Sequence, residues 1–83
     1  MPGRVPALTS DRLEAAARLY DETVAELELA LGHCRVAGDH FRSNEIPRGA
    51  AHAWAARGHL LNAQALLDEQ AREHASYSSL PDD

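Results

Sequence analysis

The chain has no lysine and only one cysteine, one methionine, one phenylalanine and one tryptophan among its 83 residues. A single cysteine cannot form an internal disulfide, so the stapled framework of small secreted domains is absent, and an intracellular, cytoplasmic setting is expected. Aromatic residues make up 5%, and the β-branched positions are few: Thr9, Thr23, Val5, Val24, Val36 and Ile46. Strands favour those residue types, so a sheet is not expected and an all-α fold remains. No apolar run approaches the ~20 residues of a membrane span, and no basic start leads into a signal-peptide stretch. No membrane association is therefore expected. Eight arginines against 13 acidic residues leave a net charge of −5, which opposes the attraction to phosphate behind most nucleic-acid affinity. The missing lysine beside abundant arginine and alanine is a composition associated with GC-rich bacterial genomes.

What the chain does have is alanine. Sixteen alanines supply much of the 45% apolar content, and alanine buries little area. A compact fold of this size already covers only ~60–65% of its unfolded surface, so any core must come from closely packed helices.

Residues 1–8, with two prolines and a glycine, read as a flexible arm ahead of a single helical domain over 9–75, and 76–83 as a flexible tail. Thr9, Ser10 and Asp11 are successive N-cap candidates, and Asp11 with Glu14 has capping-box spacing. From there Leu13, Ala17, Tyr20, Val24, Leu27, Leu31 and Cys34 recur at alternating steps of four and three, a heptad seam. Gly38 is the expected stop, because glycine takes the left-handed cap conformation easily. The first helix is thus expected over about 10–37. Ser43, Asn44 and Glu45 can cap a second, and Pro47 suits its first turn; it is expected over about 47–75. Around Leu60, the positions Ile46, Ala53, Ala56, Ala63, Leu67 and Ala71 form one stripe, while Trp54, Leu61 and Ala65 form another. Leu19, Ala30 and Ala37 make a second row on the first helix. One partner helix cannot cover two stripes, so the expectation is an antiparallel hairpin that self-associates into a four-helix bundle. Leu13, Tyr20, Val24, Leu27 and Leu31 against Ile46, Leu60 and Leu67 should hold the hairpin. Trp54, Leu61, Tyr20 and Leu19 should form the intermolecular interface.

The stretch NEIPRGAAHAWAARGHLLNAQALLDEQAREHA, residues 44–75, resembles one tetratricopeptide-type repeat. Ala51, Trp54, the glycine at Gly58, then Ala63 and Leu67 carry the likeness. The resemblance implies a turn at Gly58 between two short antiparallel helices, hence three or four short helices in all. No second copy follows, and about three repeats are needed for a stable solenoid, so this chain alone would not form one.

Five histidines stand out. His52 and His59 lie seven residues apart and share a helix face. In a hairpin folded about residues 42–43, position 33 comes opposite 52 and position 59 opposite Glu26. His33, Cys34, His40 and His52 are therefore candidate zinc ligands, although Cys34 also fits as a small buried hydrophobe on the heptad seam. Protonation of all five would bring the net charge toward zero between about pH 8 and 5, so association should depend on pH. Charge is also segregated. Residues 10–30 hold six acids, whereas Arg35, Arg42, Arg48 and Arg57 lie between 33 and 59. Arg42, Arg48 and His40 at the hairpin tip are candidates for an anion or an acidic partner.

Catalysis is not expected. Neighbours on a helix point about 100° apart, so His33 does not activate Cys34, and the serines sit at caps and in the tail. There is no glycine-rich phosphate loop, and no cofactor is implied. The sequence points to a small non-catalytic interaction module, acting as a homodimer or as an accessory or regulatory subunit of a larger partner, with a metal- or ligand-binding bundle as the alternative.

Overall fold

The computed structural model describes residues 10–78 and 80; the arm expected over 1–8 lies outside the described residues. Two helices, α1 (Ser10–Arg42) and α2 (Ile46–Tyr77), pack against each other as an antiparallel hairpin. Among the described residues there is no strand.

Gly38 does not end α1. Glycine is tolerated in the helix, and the stop comes six residues later at Asn44, whose φ of 58° puts it in the left-handed region. Glu45 N–H donates to His40 O at 2.7 Å and Asn44 N–H to Phe41 O at 3.0 Å. That pair of bonds is a Schellman motif, with asparagine in the place glycine usually takes. Glu45 then opens α2 without a side-chain cap, and Pro47 lies in the first turn.

Gly58 is equally inconspicuous. It sits within α2, so the turn implied by the tetratricopeptide likeness is not made, and the second helix is a single rod of 32 residues. The C-terminal boundary also moves outward. Ser76 and Tyr77, assigned to the tail by composition, belong to α2. Ser76 Oγ donates to Glu73 O at 2.6 Å, Tyr77 OH donates to Glu73 Oε1 at 2.9 Å, and the Arg12 guanidinium lies 4.1 Å from the centre of the Tyr77 ring. The first two contacts lie within the last turns of α2, and the Arg12–Tyr77 contact joins α1 to α2 at the open end.

The helices do not close on the large apolar residues. Leu13, Tyr20, Val24, Leu27 and Leu31, expected at the seam, are all exposed, as are Ile46, Leu60 and Leu67 opposite them. Cys34 is exposed too. The buried residues are Thr23, Ala30 and Ala37 on α1 and Gly49, Ala56 and Ala63 on α2. Within each set the spacing is seven, so these are the true heptad positions of the seam. Small side chains won because they let two backbones approach closely and gain dispersion contacts along the whole length. Ala63 is only 2% exposed. Thr23, the one buried polar residue among those described, has its hydroxyl donating to Leu19 O at 2.7 Å, so burial leaves it satisfied.

A seam of this kind contributes little hydrophobic free energy. Four buried alanine methyls bring about 3 kcal/mol, small beside the entropy of ordering two long helices. The radius of gyration is 19.1 Å, against about 12 Å for a compact chain of this length. Accessible surface is 6576 Å², where a compact monomer of 9.0 kDa would show roughly 4,900 Å².

Candidate functional site

Two surfaces follow from where the seam lies. Counting about 100° per residue from it, Leu13, Tyr20, Leu27, Cys34 and Phe41 border the seam on one side of α1, with Val24 and Leu31 behind them. Because the helices are antiparallel, Ile46, Ala53, Leu60 and Leu67 border the same side from α2. One side of the hairpin is thus a continuous apolar face. Phe41 marks its tip end: its ring lies where a Cβ on residue 49 would stand, 2.7 to 3.0 Å away, so only glycine admits it. Phe41 also lines a shallow apolar groove with Ala50, Ala53, Trp54 and Arg57.

The expected interface residues divide over this geometry. Tyr20 lies on the apolar face, whereas Leu19 is half-buried on the seam. Trp54, 72% exposed, and Leu61 are on the back of α2, turned away from α1 and bordering the face through the groove beside Phe41. Sequence reasoning missed Phe41 as a member of the face because it lies beyond the glycine taken as the end of α1.

The second surface is a row of imidazoles along the opposite edge of the seam. His33 Nδ1 and His52 Nδ1 are 3.0 Å apart. The His40 ring stacks on His52 with centroids 5.4 Å apart, and His33 stacks on His59, also at 5.4 Å. Each end meets a carboxylate. His59 Nδ1 is 2.6 Å from Glu26 Oε2, and His40 Nδ1 is 3.7 Å from Glu45 Oε2. The facing of 33 with 52 and of 59 with 26 is the register expected for a fold about residues 42–43. His33, His40, His52 and His59 occupy alternate seam positions, seven apart on each helix, between the small residues.

The His59 hydrogen bond holds the Glu26 carboxyl below its ordinary value; partial burial opposes this, and the Asn62 amide, 3.4 Å away, assists it. A carboxyl lowered on folding adds stability above its unfolded value, and that contribution is lost as pH falls through the lowered value.

Of the candidate zinc ligands, the structure brings together His33, His40 and His52 but places Cys34 on the apolar face. Among the described residues no group of three or more histidine, cysteine or acidic side chains is arranged to hold a metal ion. At the tip the cations are already paired. Arg42 donates to Asp39 Oδ1 at 2.8 Å, and Arg48 to Glu45 Oε2 at 2.9 Å, the carboxylate His40 also approaches. Arg48 and His40 thus meet at the Glu45 carboxylate, while Arg42 pairs separately with Asp39.

No described helix is long and apolar enough to cross a membrane. No family model matches the chain, and neither a curated protein nor a solved structure matches it.

Proposed function

We propose that this chain is a non-catalytic helical interaction module whose apolar face docks on the same face of a second copy, two hairpins forming a four-helix bundle. The observation that carries this reading is the inversion of the hairpin: its buried seam positions hold alanine, glycine and threonine, while Leu13, Tyr20, Leu27, Phe41, Ile46, Leu60 and Leu67 stand exposed along one side, with only Leu29 and Val36 exposed on the histidine side of α1. Each helix carries two heptad stripes. One is used within the chain, and the other, Leu13 through Cys34 on α1, keeps the spacing that a neighbouring helix would fill.

A two-fold axis would place Leu27 and Leu60 of both copies near the centre, Leu31 and Leu67 beside them, Leu13 toward the open end, and Trp54 at the rim. Burial of the leucine side chains at the centre would then supply the association free energy. The reading as an accessory subunit differs only in what covers the face.

Light scattering at micromolar concentration tests it. The expected mass is twice 9.0 kDa, falling to that of one chain in the variant Leu27→Glu/Leu60→Glu with helicity kept. A wild-type protein of single-chain mass, or a variant that keeps the doubled mass, would overturn the proposal; a hairpin that stays single yet co-purifies with a larger protein would transfer the face to that partner.

A further inference from the structure

We propose that the row His40, His52, His33, His59 is a proton-operated latch on the hairpin, closed while at least one ring of the central pair is neutral and released when both are protonated. The row lies on the opposite edge of the seam from the apolar face, so it stays open to solvent whether or not that face is covered, and the inference stands independently of self-association.

The central pair is decisive. Two ring nitrogens 3.0 Å apart form one hydrogen bond in which one Nδ1–H donates and the other Nδ1 accepts. That arrangement survives one added proton, because imidazolium and imidazole still offer one donor and one acceptor to each other. A second proton leaves two N–H groups pointing at each other with no acceptor between them, and two like charges at contact distance across the seam.

The surroundings do not rescue the doubly protonated pair. On α1 the nearest carboxylate along the row is Glu26, already engaged by His59 and Asn62. At the start of α2 it is Glu45, held by Arg48 and approached by His40. Arg48 itself stands one turn before His52 and adds a cation to that side. Glu22 and Glu69 line a groove with Glu26, beyond His59 and away from the centre. The carboxylates thus serve the outer rings, His59 and His40, and the two inner rings have only each other and their stacked neighbours. Imidazole is the side chain whose ordinary charge change lies between about pH 8 and 5, so the test spans that range.

The helix pair is exposed to this because its seam is shallow. Small residues hold the helices through close approach, and separation to relieve the central charges removes the dispersion contacts of Ala30, Ala37 and Ala56 together. The half of the hairpin nearest the tip should open first, since the four rings lie there.

The test is a thermal melt followed by far-ultraviolet circular dichroism at several values between about pH 8 and 5, on the full chain at one concentration. The wild-type midpoint should fall by about 10 °C across that range, and His33→Leu/His52→Leu should lose at least half of that fall while keeping its helicity. Glutamine at both positions supplies a second uncharged pair if leucine alters the seam. Glu26→Gln, which removes the carboxylate that offsets a protonated His59, should make the fall on acidification larger. The contribution of the Glu26 carboxyl itself is lost at lower pH, below the ordinary carboxylate value of 4.5, and is separable on the same curve. A wild-type midpoint that does not move over this range, or a fall equally large without the two central histidines, would overturn the latch.

Discussion

The two flanks of this hairpin carry opposite chemistry with the same periodicity. The seam repeats small residues every seventh position and fills the alternate positions with histidine and glutamate; the apolar face repeats leucine, tyrosine, valine and phenylalanine at the same interval. Ordinary amphipathic helices bury the large side chains and expose the small and polar ones. Here the assignment is reversed, and the difference separates two jobs that a single core usually combines. Geometry is set by the alanine and glycine positions, which fix how closely and in what register the helices meet. The large apolar side chains of the face contribute little to holding α1 against α2, because they stay exposed. The imidazole row adds a third element, a polar line that the small residues leave room for.

The sharpest way to break this division is to charge the face. In a two-fold assembly each substitution acts twice, so Leu27→Glu with Leu60→Glu should weaken self-association more than a hundredfold, about 3 kcal/mol or more, read from sedimentation equilibrium. The next largest effect should come from enlarging the seam. Ala63 is nearly inaccessible, and Ala63→Leu forces the backbones apart at a point where small residues on both helices define their separation. Overpacking of this kind costs about 2–3 kcal/mol, seen as a lower melting midpoint at unchanged far-ultraviolet signal per residue. If the seam instead improved with leucine, the claim that close approach and not apolar volume holds the helices would fail. Leu27→Ala should have the contrary profile, weakening association while leaving the register of α1 and α2 intact by hydrogen exchange.

Much of this was legible in the residues, and the part that was not has a definite cause. Two long helices, the site of the turn, and the facing of His33 with His52 and of His59 with Glu26 all follow from cap residues, spacing and the fold-back near 42–43. What periodicity alone did not decide is which of two interleaved heptads closes the hairpin. Leu13, Tyr20, Leu27 and Cys34 form the more apolar stripe, and transfer free energy favours burying it; but Ala30 and Ala37, with Ala56 and Ala63, form the stripe that lets helices touch. The row of Leu19, Ala30 and Ala37 was visible, and its sevenfold coincidence with His33 and His40, and with His52 and His59 on the other helix, is the signal that would have identified the seam. Gly38 and Gly58 misled for a related reason. Glycine permits a stop or a turn without requiring one, and the left-handed residue that ends α1 is Asn44.

The glycines of α2 offer the finest test of the contrast between seam and exposed surface, because the same substitution should have opposite signs at two positions nine residues apart. A Cβ on residue 49 would meet ring carbons of Phe41 at 2.7 to 3.0 Å, so Gly49→Ala must displace the ring that closes the tip end of the apolar face. The expected cost is about 1 kcal/mol. A Cβ on residue 58 meets nothing within 4 Å, and that position lies in a continuous, exposed stretch of helix. Gly58→Ala should therefore stabilise the hairpin by about 0.5–1 kcal/mol, through helix propensity and a less free unfolded chain. Chemical denaturation of the two single variants reads both signs. A loss of stability in Gly58→Ala would mean that residue 58 needs conformational freedom in solution, as a two-helix repeat with its turn at that glycine requires, and the single rod from Ile46 to Tyr77 would give way to that alternative.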